Sequence, residues 1–125
     1  MHGWMRKDFP IWRDAEQLLV DIECAVRRFP RYHKYTLGSE LRLLAARVLS
    51  CVTHAINHKE ARSLWVERLA TAIEELKLRL QLGKSLQVFA SFTEFERLAK
   101  TAVDVSRQST RWRQKLQRPG LQAAP

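Results

Sequence analysis

The chain has 125 residues, with 22 lysines and arginines against 13 aspartates and glutamates, so its formal net charge is +9. This length is typical of one domain and suffices to bury a hydrophobic core without a disulfide or a metal ion. No apolar run is long enough to cross a bilayer, and the positive charge favours a polyanionic partner such as RNA, DNA or anionic lipid.

The first predicted helix runs from about Pro10 to Phe29. Its apolar residues recur at alternating spacings of four and three, the heptad period of a helix that packs along one seam: Ile11, Ala15, Leu18, Ile22, Ala25 and Phe29. Pro30 ends this helix, because a proline interrupts the backbone hydrogen bonds of a helix interior. The short loop from Pro30 to Tyr35 then makes the next helix antiparallel to the first.

The second predicted helix runs from about Thr36 to His58. It has the same period, in Leu37, Leu41, Leu44, Val48, Cys51 and Ala55. The third predicted helix starts near Lys59 or Ser63 and runs to Ala90, with a seam of Val66, Leu69, Ile73, Leu76, Leu80 and Gly83. Because the turn signal between these two helices is weak, one long kinked helix is an alternative there.

The fourth predicted helix runs from Phe92 to Gln117. Its seam is Phe95, Leu98, Ala102, Val105, Ser109, Trp112 and Leu116. The residues Ser91 to Glu94 fit a capping box, in which the Ser91 and Glu94 side chains each accept a hydrogen bond from a free backbone N–H.

Four seams with one period predict an all-α fold, an antiparallel up-down-up-down four-helix bundle over residues 9–118. Residues 1–8 would form an N-terminal tail, and residues 119–125 a disordered C-terminal tail. We expect Trp112 and Trp12 to lie in the core. Cys24 and Cys51 fall inside the apolar patterns, which favours free thiols in a reducing compartment over a disulfide. Since Met1 to Asp8 lack the apolar stretch of a signal peptide, we expect a cytoplasmic protein.

The third predicted helix is apolar on more than one side. Its apolar residues outside the seam include Leu78, Leu82, Leu86 and Val88. A helix that is apolar over much of its surface needs a second partner, so we predict self-association into a homo-oligomer, chiefly through this helix. The alternative is a thick monomer core, because core-facing helices often have wide apolar stripes.

The positive charge is concentrated at the end of the fourth predicted helix, on the second half of the third, and on the loop with Arg31 and Lys34. The third predicted helix has only basic charges from Lys77 onward, and no acid follows Asp104 in the chain. Arginine outnumbers lysine, which suits bidentate contact with phosphate. The candidate nucleic-acid-binding residues are Lys77, Arg79, Lys84, Arg107, Arg111, Arg113 and Lys115. The alternative for any single one of them is an ordinary solvated helix face.

Motifs of catalysis are absent from the sequence. His54 and His58 have the spacing of a two-histidine metal face, but Ala55 stands where a metalloprotease helix has its glutamate. Glu74 and Glu75 are adjacent and point to different sides of a helix. We find no glycine-rich phosphate loop and no nucleophile elbow. We therefore expect no enzyme, no metal, no cofactor and no small-molecule substrate. Membrane-surface binding is disfavoured because the polar helix faces mix both charges.

Two segments carry a resemblance to a known family. Phe29 to Leu41 looks like the junction of the first two helices in small bacterial four-helix-bundle proteins. Phe95 to Ala99 and Ser106 to Trp112 resemble the last helix of one branch, the accessory variability determinant (Avd) proteins of diversity-generating retroelements. The likeness spans roughly Phe9 to Leu116.

A sister branch is the proteins encoded in intervening sequences of 23S ribosomal RNA genes. Its members typically have an Arg-Ala-Ala and an Asn-Ile-Ala-Glu-Gly segment on the second helix. This chain has Leu44 to Arg47 and His54 to Asn57 there instead, which favours the Avd branch. A structural, protein-interacting bundle of the sister type is the alternative.

The Avd resemblance implies a specific function. Proteins of this kind form ring-like pentameric barrels with a basic surface. They bind a dedicated reverse transcriptase and its template RNA, support mutagenic copying of the template, and carry no catalytic site. The resemblance therefore adds the expectation of a homopentamer whose partners are nucleic acid and a reverse transcriptase.

Overall fold

The computed structural model describes residues 8–118, 120 and 122–125. Within this part there are five helices and no strands: α1 spans Pro10–Arg27, α2 Arg31–Lys34, α3 Leu37–Asn57, α4 Arg62–Ser85 and α5 Phe92–Leu116. Residues 1–7 of the predicted N-terminal tail, and residues 119 and 121 of the predicted C-terminal tail, lie outside the described residues.

The four long helices form the predicted antiparallel bundle. Each packs against the next along the chain, and α5 packs against α1, so the helices follow one another around the bundle in chain order. Side-chain hydrogen bonds join the beginning of one helix to the end of its neighbour at every interface: Arg42 to Glu23, Arg79 to Glu40, Arg113 to Glu67, and Gln108 to Asp14. The up-down-up-down prediction is confirmed.

The core consists of the predicted heptad seams. Every seam residue is buried except Leu116, which is half-buried at the end of α5. Trp112 is only 1% exposed, as predicted. Trp12 is half-buried at the edge of the core, and its indole N–H donates to Thr53 Oγ1 at 3.0 Å. The heptad period therefore identified the buried face of each long helix.

α4 ends at Ser85, so the prediction that it continues to Ala90 is wrong. Gln87 has a φ of 57°, in the left-handed region, and this reverses the chain direction. The N–H of Val88 then donates to Gly83 O at 3.1 Å, and the N–H of Gln87 to Lys84 O at 3.1 Å. These two bonds form a Schellman motif, which satisfies carbonyls that the helix end leaves free.

Val88 is a core residue and not part of a free apolar surface, because this turn folds it back onto the bundle. The segment after α4 comes close to the helix at Gly83. A Cβ there would lie 2.8 Å from Phe89 Cε2 and 3.2 Å from Val88 Cγ2. Glycine at this seam position therefore allows the segment after α4 to pack against the helix it has just left.

The connections between the first three long helices differ in secondary structure from the sequence prediction. Residues 31–34 of the first loop form the short helix α2, and α1 ends at Arg27 before Phe29. α3 and α4 are separate helices, because the chain leaves α3 at Asn57 and starts α4 at Arg62. The single kinked helix is thus ruled out.

The predicted capping box at the start of α5 is half right. Ser91 Oγ accepts a hydrogen bond from the Glu94 N–H at 3.1 Å, as expected. The Glu94 carboxylate accepts from the N–H of Ala90 at 3.2 Å instead of that of Ser91. It also accepts from the Arg28 guanidinium at the end of α1, so this buried carboxylate ties two helices together.

Arg62, the first residue of α4, is buried, with 4% of its surface exposed. Its guanidinium donates to Ala55 O at 2.7 Å and to Ile56 O at 2.9 Å, two carbonyls in the last turn of α3. It also donates to Gln122 O at 2.6 Å. The beginning of α4 therefore caps the end of α3 and holds part of the C-terminal segment.

Candidate nucleic-acid interface

The predicted basic residues fall into two groups at different places on the bundle. Lys77, Arg79 and Lys84 lie on the second half of α4, whereas Arg107, Arg111, Arg113 and Lys115 lie on the second half of α5. Because α4 and α5 are antiparallel, the second half of α5 lies beside the first half of α4. One copy of the chain does not bring the two groups together.

Lys77 and Arg79 are already paired with carboxylates. Lys77 Nζ lies 2.8 Å from Glu74 Oε2, and its hydrogen bond is the largest cause that lowers the pKa of the Glu74 carboxyl. Arg79 bridges two helices, with contacts of 2.9 Å to Glu40 and 3.2 Å to Glu75. A phosphate would have to displace or share these partners, so these two cations are weaker candidates than their charge alone indicates.

Lys84 contacts aromatic rings. Its Nζ lies 5.4 Å from the ring centroid of Phe95 and 6.0 Å from that of Phe92. Such cation–π contacts are worth on the order of 0.5–1 kcal/mol at exposed sites. Lys84 therefore has a structural role at the junction of α4 and α5, although its side chain is exposed.

The second half of α5 presents unpaired cations. Arg107, Arg111 and Lys115 are exposed and form no ion pair with any residue that the structure describes, and the same holds for Arg118 just beyond the helix. We call these four residues the α5 stripe. Arg113 is different, because it faces α4 and its Nε donates to Glu67 at 2.7 Å.

The helix period explains why the α5 stripe faces outward. Arg107, Arg111 and Lys115 are separated by four residues each, so they share one face of the helix, and Arg118 follows just after the helix ends. Val105, Ser109 and Trp112 occupy the opposite face and are buried. The core seam of α5 thus leaves the stripe on the outside of the bundle.

Three acidic residues on or beside α5 have partners outside the α5 stripe. Asp104 binds Lys100 at 3.1 Å, and Asp14 of α1 accepts a hydrogen bond from Gln108 at 2.8 Å. Glu74 of α4 binds both Lys77 and Ser106. The charges of Asp104 and Glu74 are therefore balanced by lysines, and neither carboxylate pairs with a cation of the stripe.

The sequence did not predict a stack of planar groups between α3 and α4. The rings of His58 and His54 lie 5.3 Å apart and nearly parallel, and the His54 ring lies 4.4 Å from that of Trp65. Arg68 Cζ lies 4.7 Å over the same indole. The spacings of four between the histidines and three between Trp65 and Arg68 were visible in the sequence. The histidine pair faces the pair of Trp65 and Arg68 because of the register of α3 against α4, which the sequence does not show.

The described residues contain no group of three or more His, Cys, Asp and Glu side chains that could hold a metal ion. Cys24 and Cys51 are free thiols, and burial raises the pKa of the Cys51 thiol. None of the helices in the described part of the chain is both long enough and apolar enough to cross a membrane.

The fold defines the class of protein as an antiparallel four-helix bundle with a basic outer face. A scan against models of known protein families gives no match for this chain, and a search of curated proteins gives none either.

Proposed function

We propose that this protein is a non-catalytic nucleic-acid-binding protein whose α5 stripe contacts the phosphate backbone. The observation that carries the proposal is the stripe itself: four exposed cations, three of them on one face of α5, without ion pairs among the described residues. A phosphate that binds there has no protein carboxylate to displace. Each contact also releases condensed counterions, which is the main source of affinity in sequence-independent binding.

The dimensions of the stripe suit a polynucleotide. A helix advances about 1.5 Å per residue, so Arg107 and Lys115 are separated by roughly 12 Å along α5. Phosphates follow one another at about 3.4 Å per strand along B-DNA, so this length spans about four of them. The predominance of arginine adds bidentate, planar contacts to the phosphate oxygens.

Charge reversal tests this proposal. We expect the triple variant Arg107→Glu, Arg111→Glu and Lys115→Glu to lose most of its affinity for RNA and DNA, and the slope of log K against log salt to fall by about 3. Arg113 is left unchanged, because a glutamate at this position would lie against the Glu67 carboxylate and repel it. Fluorescence anisotropy of a labelled oligonucleotide, titrated at several salt concentrations, measures both quantities.

The matched control carries the same change of net charge at the other side of the molecule. Arg27, Arg31 and Lys34 lie at the end of α1 and on α2, at the opposite end of the bundle from the stripe, so their reversal to glutamate changes the total charge equally. Equal losses in both triple variants would show that binding follows net charge and not the α5 stripe. No binding by the parent protein near physiological salt would favour the protein-interaction bundle instead.

The proposal includes a role as an accessory subunit of a retroelement reverse transcriptase and its template RNA, in the cytoplasm. The support for this part is the resemblance of Phe29 to Leu41 and of Ser106 to Trp112 to Avd-like proteins. A bundle with cations on one outer face suits such a subunit, since it can hold a template while a partner enzyme performs the chemistry.

Self-association into a ring, with a pentamer as the expected size, is the third part of the proposal. Leu78 and Leu82 on α4 and Leu86 just after it follow one another at a spacing of four, and they are 62%, 46% and 43% exposed. A contiguous apolar strip of this kind commonly marks a protein interface. Other copies of the chain would cover it and place several α5 stripes on one particle.

Two substitutions separate an oligomer from a monomer. We expect the double variant Leu78→Glu and Leu82→Glu to reduce the particle mass to that of one chain in multi-angle light scattering, because two charges would lie in an apolar contact. Val20→Glu is the control, since Val20 is 50% exposed on α1, away from the strip. A parent protein that is monomeric at all concentrations would contradict this part of the proposal.

A further inference from the structure

An open groove of about 810 Å³ runs between α3 and α4 on the outside of the bundle. Five small residues line it and leave its space unfilled: Ala46, Ser50, Cys51, Thr71 and Ala72. A volume of this size falls in the range of about 300–1,000 Å³ that small-molecule pockets occupy.

The groove borders the planar stack. Trp65 and Arg68 both line it, and the centroid of the indole lies 4.4 Å from that of the His54 ring and 4.7 Å from Arg68 Cζ. The guanidinium is planar and exposed, so another planar group can continue the stack beyond it. Unpaired nucleic-acid bases are held in this way, by stacking on aromatic rings and on arginine.

The charge of the groove also suits a nucleotide. Its two acids are engaged, since Glu67 binds Arg113 at 2.7 Å and Glu75 binds Arg79 at 3.2 Å. Arg47 and Arg68 line the same groove and have no ion pair with any described residue. Burial raises the pKa of the Cys51 thiol, and the positive charges of both arginines lower it, so both guanidinium groups act on the same groove-lining residue. An anion that enters meets two unpaired guanidinium groups.

We infer that this groove is a binding site for a base of single-stranded nucleic acid. The base stacks on the Arg68 end of the stack that includes Trp65, and its flanking phosphates contact Arg47 and Arg68. The site requires a single strand because the bases of a duplex are stacked on each other and unavailable. An apolar helix fits less well, because it would bury two unpaired guanidinium groups.

The site extends the proposed function and rests on it. Glu67 lines the groove and also holds Arg113 of α5, so only the first half of α4 separates the groove from the α5 stripe. Helices that pack together lie about 8–10 Å apart. One strand can therefore place a base in the groove and phosphates farther along the strand on the stripe.

The experiment compares two probes that have the same phosphates. One is a fluorescein-labelled oligodeoxythymidine of about twelve nucleotides, within the usual site size of single-strand binders. The other is an oligomer of equal length with abasic residues throughout. Anisotropy titrations give the affinity of the full chain for each. We expect the parent protein to bind the probe with bases about tenfold more tightly, since one stacked base contributes on that order.

Three variants locate the site. Ser50→Phe fills the groove from an exposed position and should reduce the ratio between the two probes to about 1, as measured in the same titrations. Ser85→Phe makes the same change at an exposed position of α4 outside the groove, and should keep the parent ratio. Arg68→Gln removes the stacking guanidinium without filling the space, and should also lower the ratio.

The outcomes separate this inference from the proposed function. If the parent protein binds both probes equally well, or if neither Ser50→Phe nor Arg68→Gln changes the ratio, the base site is wrong while phosphate binding stands. If the parent protein binds neither probe, both proposals fall. If Ser85→Phe lowers the ratio as much as Ser50→Phe does, the assignment to this groove is also wrong.

Discussion

Replacing Trp112 with alanine is expected to lower the free energy of unfolding by about 3–5 kcal/mol. Trp112 is 1% exposed and is the largest fully buried side chain in the described part of the bundle. It lies in the second half of α5, where the outer face has the unpaired cations. Its removal leaves a cavity that the neighbouring helices can fill only in part, and the lost contacts add to the lost burial.

The indole also makes one hydrogen bond outside the helices. Trp112 Nε1 donates to Ala123 O at 2.7 Å, which holds the C-terminal segment against the bundle. Trp112→Phe removes this donor and also one ring of the buried indole. We expect it to cost more than the about 1 kcal/mol of a typical intramolecular hydrogen bond, but less than Trp112→Ala. The difference between the two variants therefore measures the packing that the remaining phenyl ring retains.

Urea denaturation followed by far-UV circular dichroism measures both variants. The slope m must stay the same for the comparison to hold, since a changed m indicates a changed denatured or native state. Trp12→Ala is the matched control, because Trp12 is half-buried at the edge of the core and should cost less. A loss below 1 kcal/mol for Trp112→Ala would contradict the packing of the last turns of α5.

The features that follow from local periodicity were predictable from the sequence. The heptad seams identified the buried face of each long helix, including Ser109, which is a polar residue at a core position. They succeeded because the identity of the inner face depends only on spacing within one helix. The antiparallel order followed as well, since short connections leave consecutive helices little choice.

The end of α4 was not predictable in the same way. Helix ends are usually marked by glycine in the left-handed position, but here Gln87 occupies it. A side chain in that conformation costs roughly 1–2 kcal/mol. The burial of Val88 and the close approach at Gly83 favour it in this bundle. Tertiary packing therefore outweighed the local signal, and the predicted helix was too long.

The candidate site was predicted only in part, because charge in a sequence does not show which charges are paired. Arg107, Arg111 and Lys115 are exposed and unpaired among the described residues, as an interface needs. Arg79 and Arg113 bind carboxylates on the neighbouring helix, and these pairings depend on the register between helices. The stack at Trp65 depends on the same register, so only the folded chain reveals it.

Arg62 shows most clearly what the sequence concealed, and replacing it with methionine is expected to lower the free energy of unfolding by about 3 kcal/mol. An arginine at the start of a helix ordinarily extends into solvent. Here it is buried, and burial lowers the pKa of its guanidinium, which nevertheless stays charged. Among the described residues its partners are three carbonyl oxygens, of Ala55, Ile56 and Gln122.

Two opposing effects determine the sign of this prediction. Methionine removes a buried charge, which relieves the cost of desolvation. It also leaves two carbonyl oxygens in the last turn of α3 without their donors, and each buried acceptor left unpaired costs about 1–3 kcal/mol. In addition it removes a cation from a helix C-terminus, where a cation contributes up to about 2 kcal/mol. Two helix carbonyls lose donors together, so the loss of hydrogen bonds should exceed the relief.

Urea denaturation of three variants decides between these effects. Arg62→Lys keeps the charge but cannot match the planar fork of the guanidinium, so an intermediate loss is expected. Arg97→Met, at an exposed position of α5, should stay within about 0.5 kcal/mol of the parent protein. A more stable Arg62→Met protein would mean that desolvation dominates and that Arg62 does not stabilise the junction. A loss in the expected range would establish that the first residue of α4 fixes the end of α3 and, through Gln122, part of the C-terminal segment.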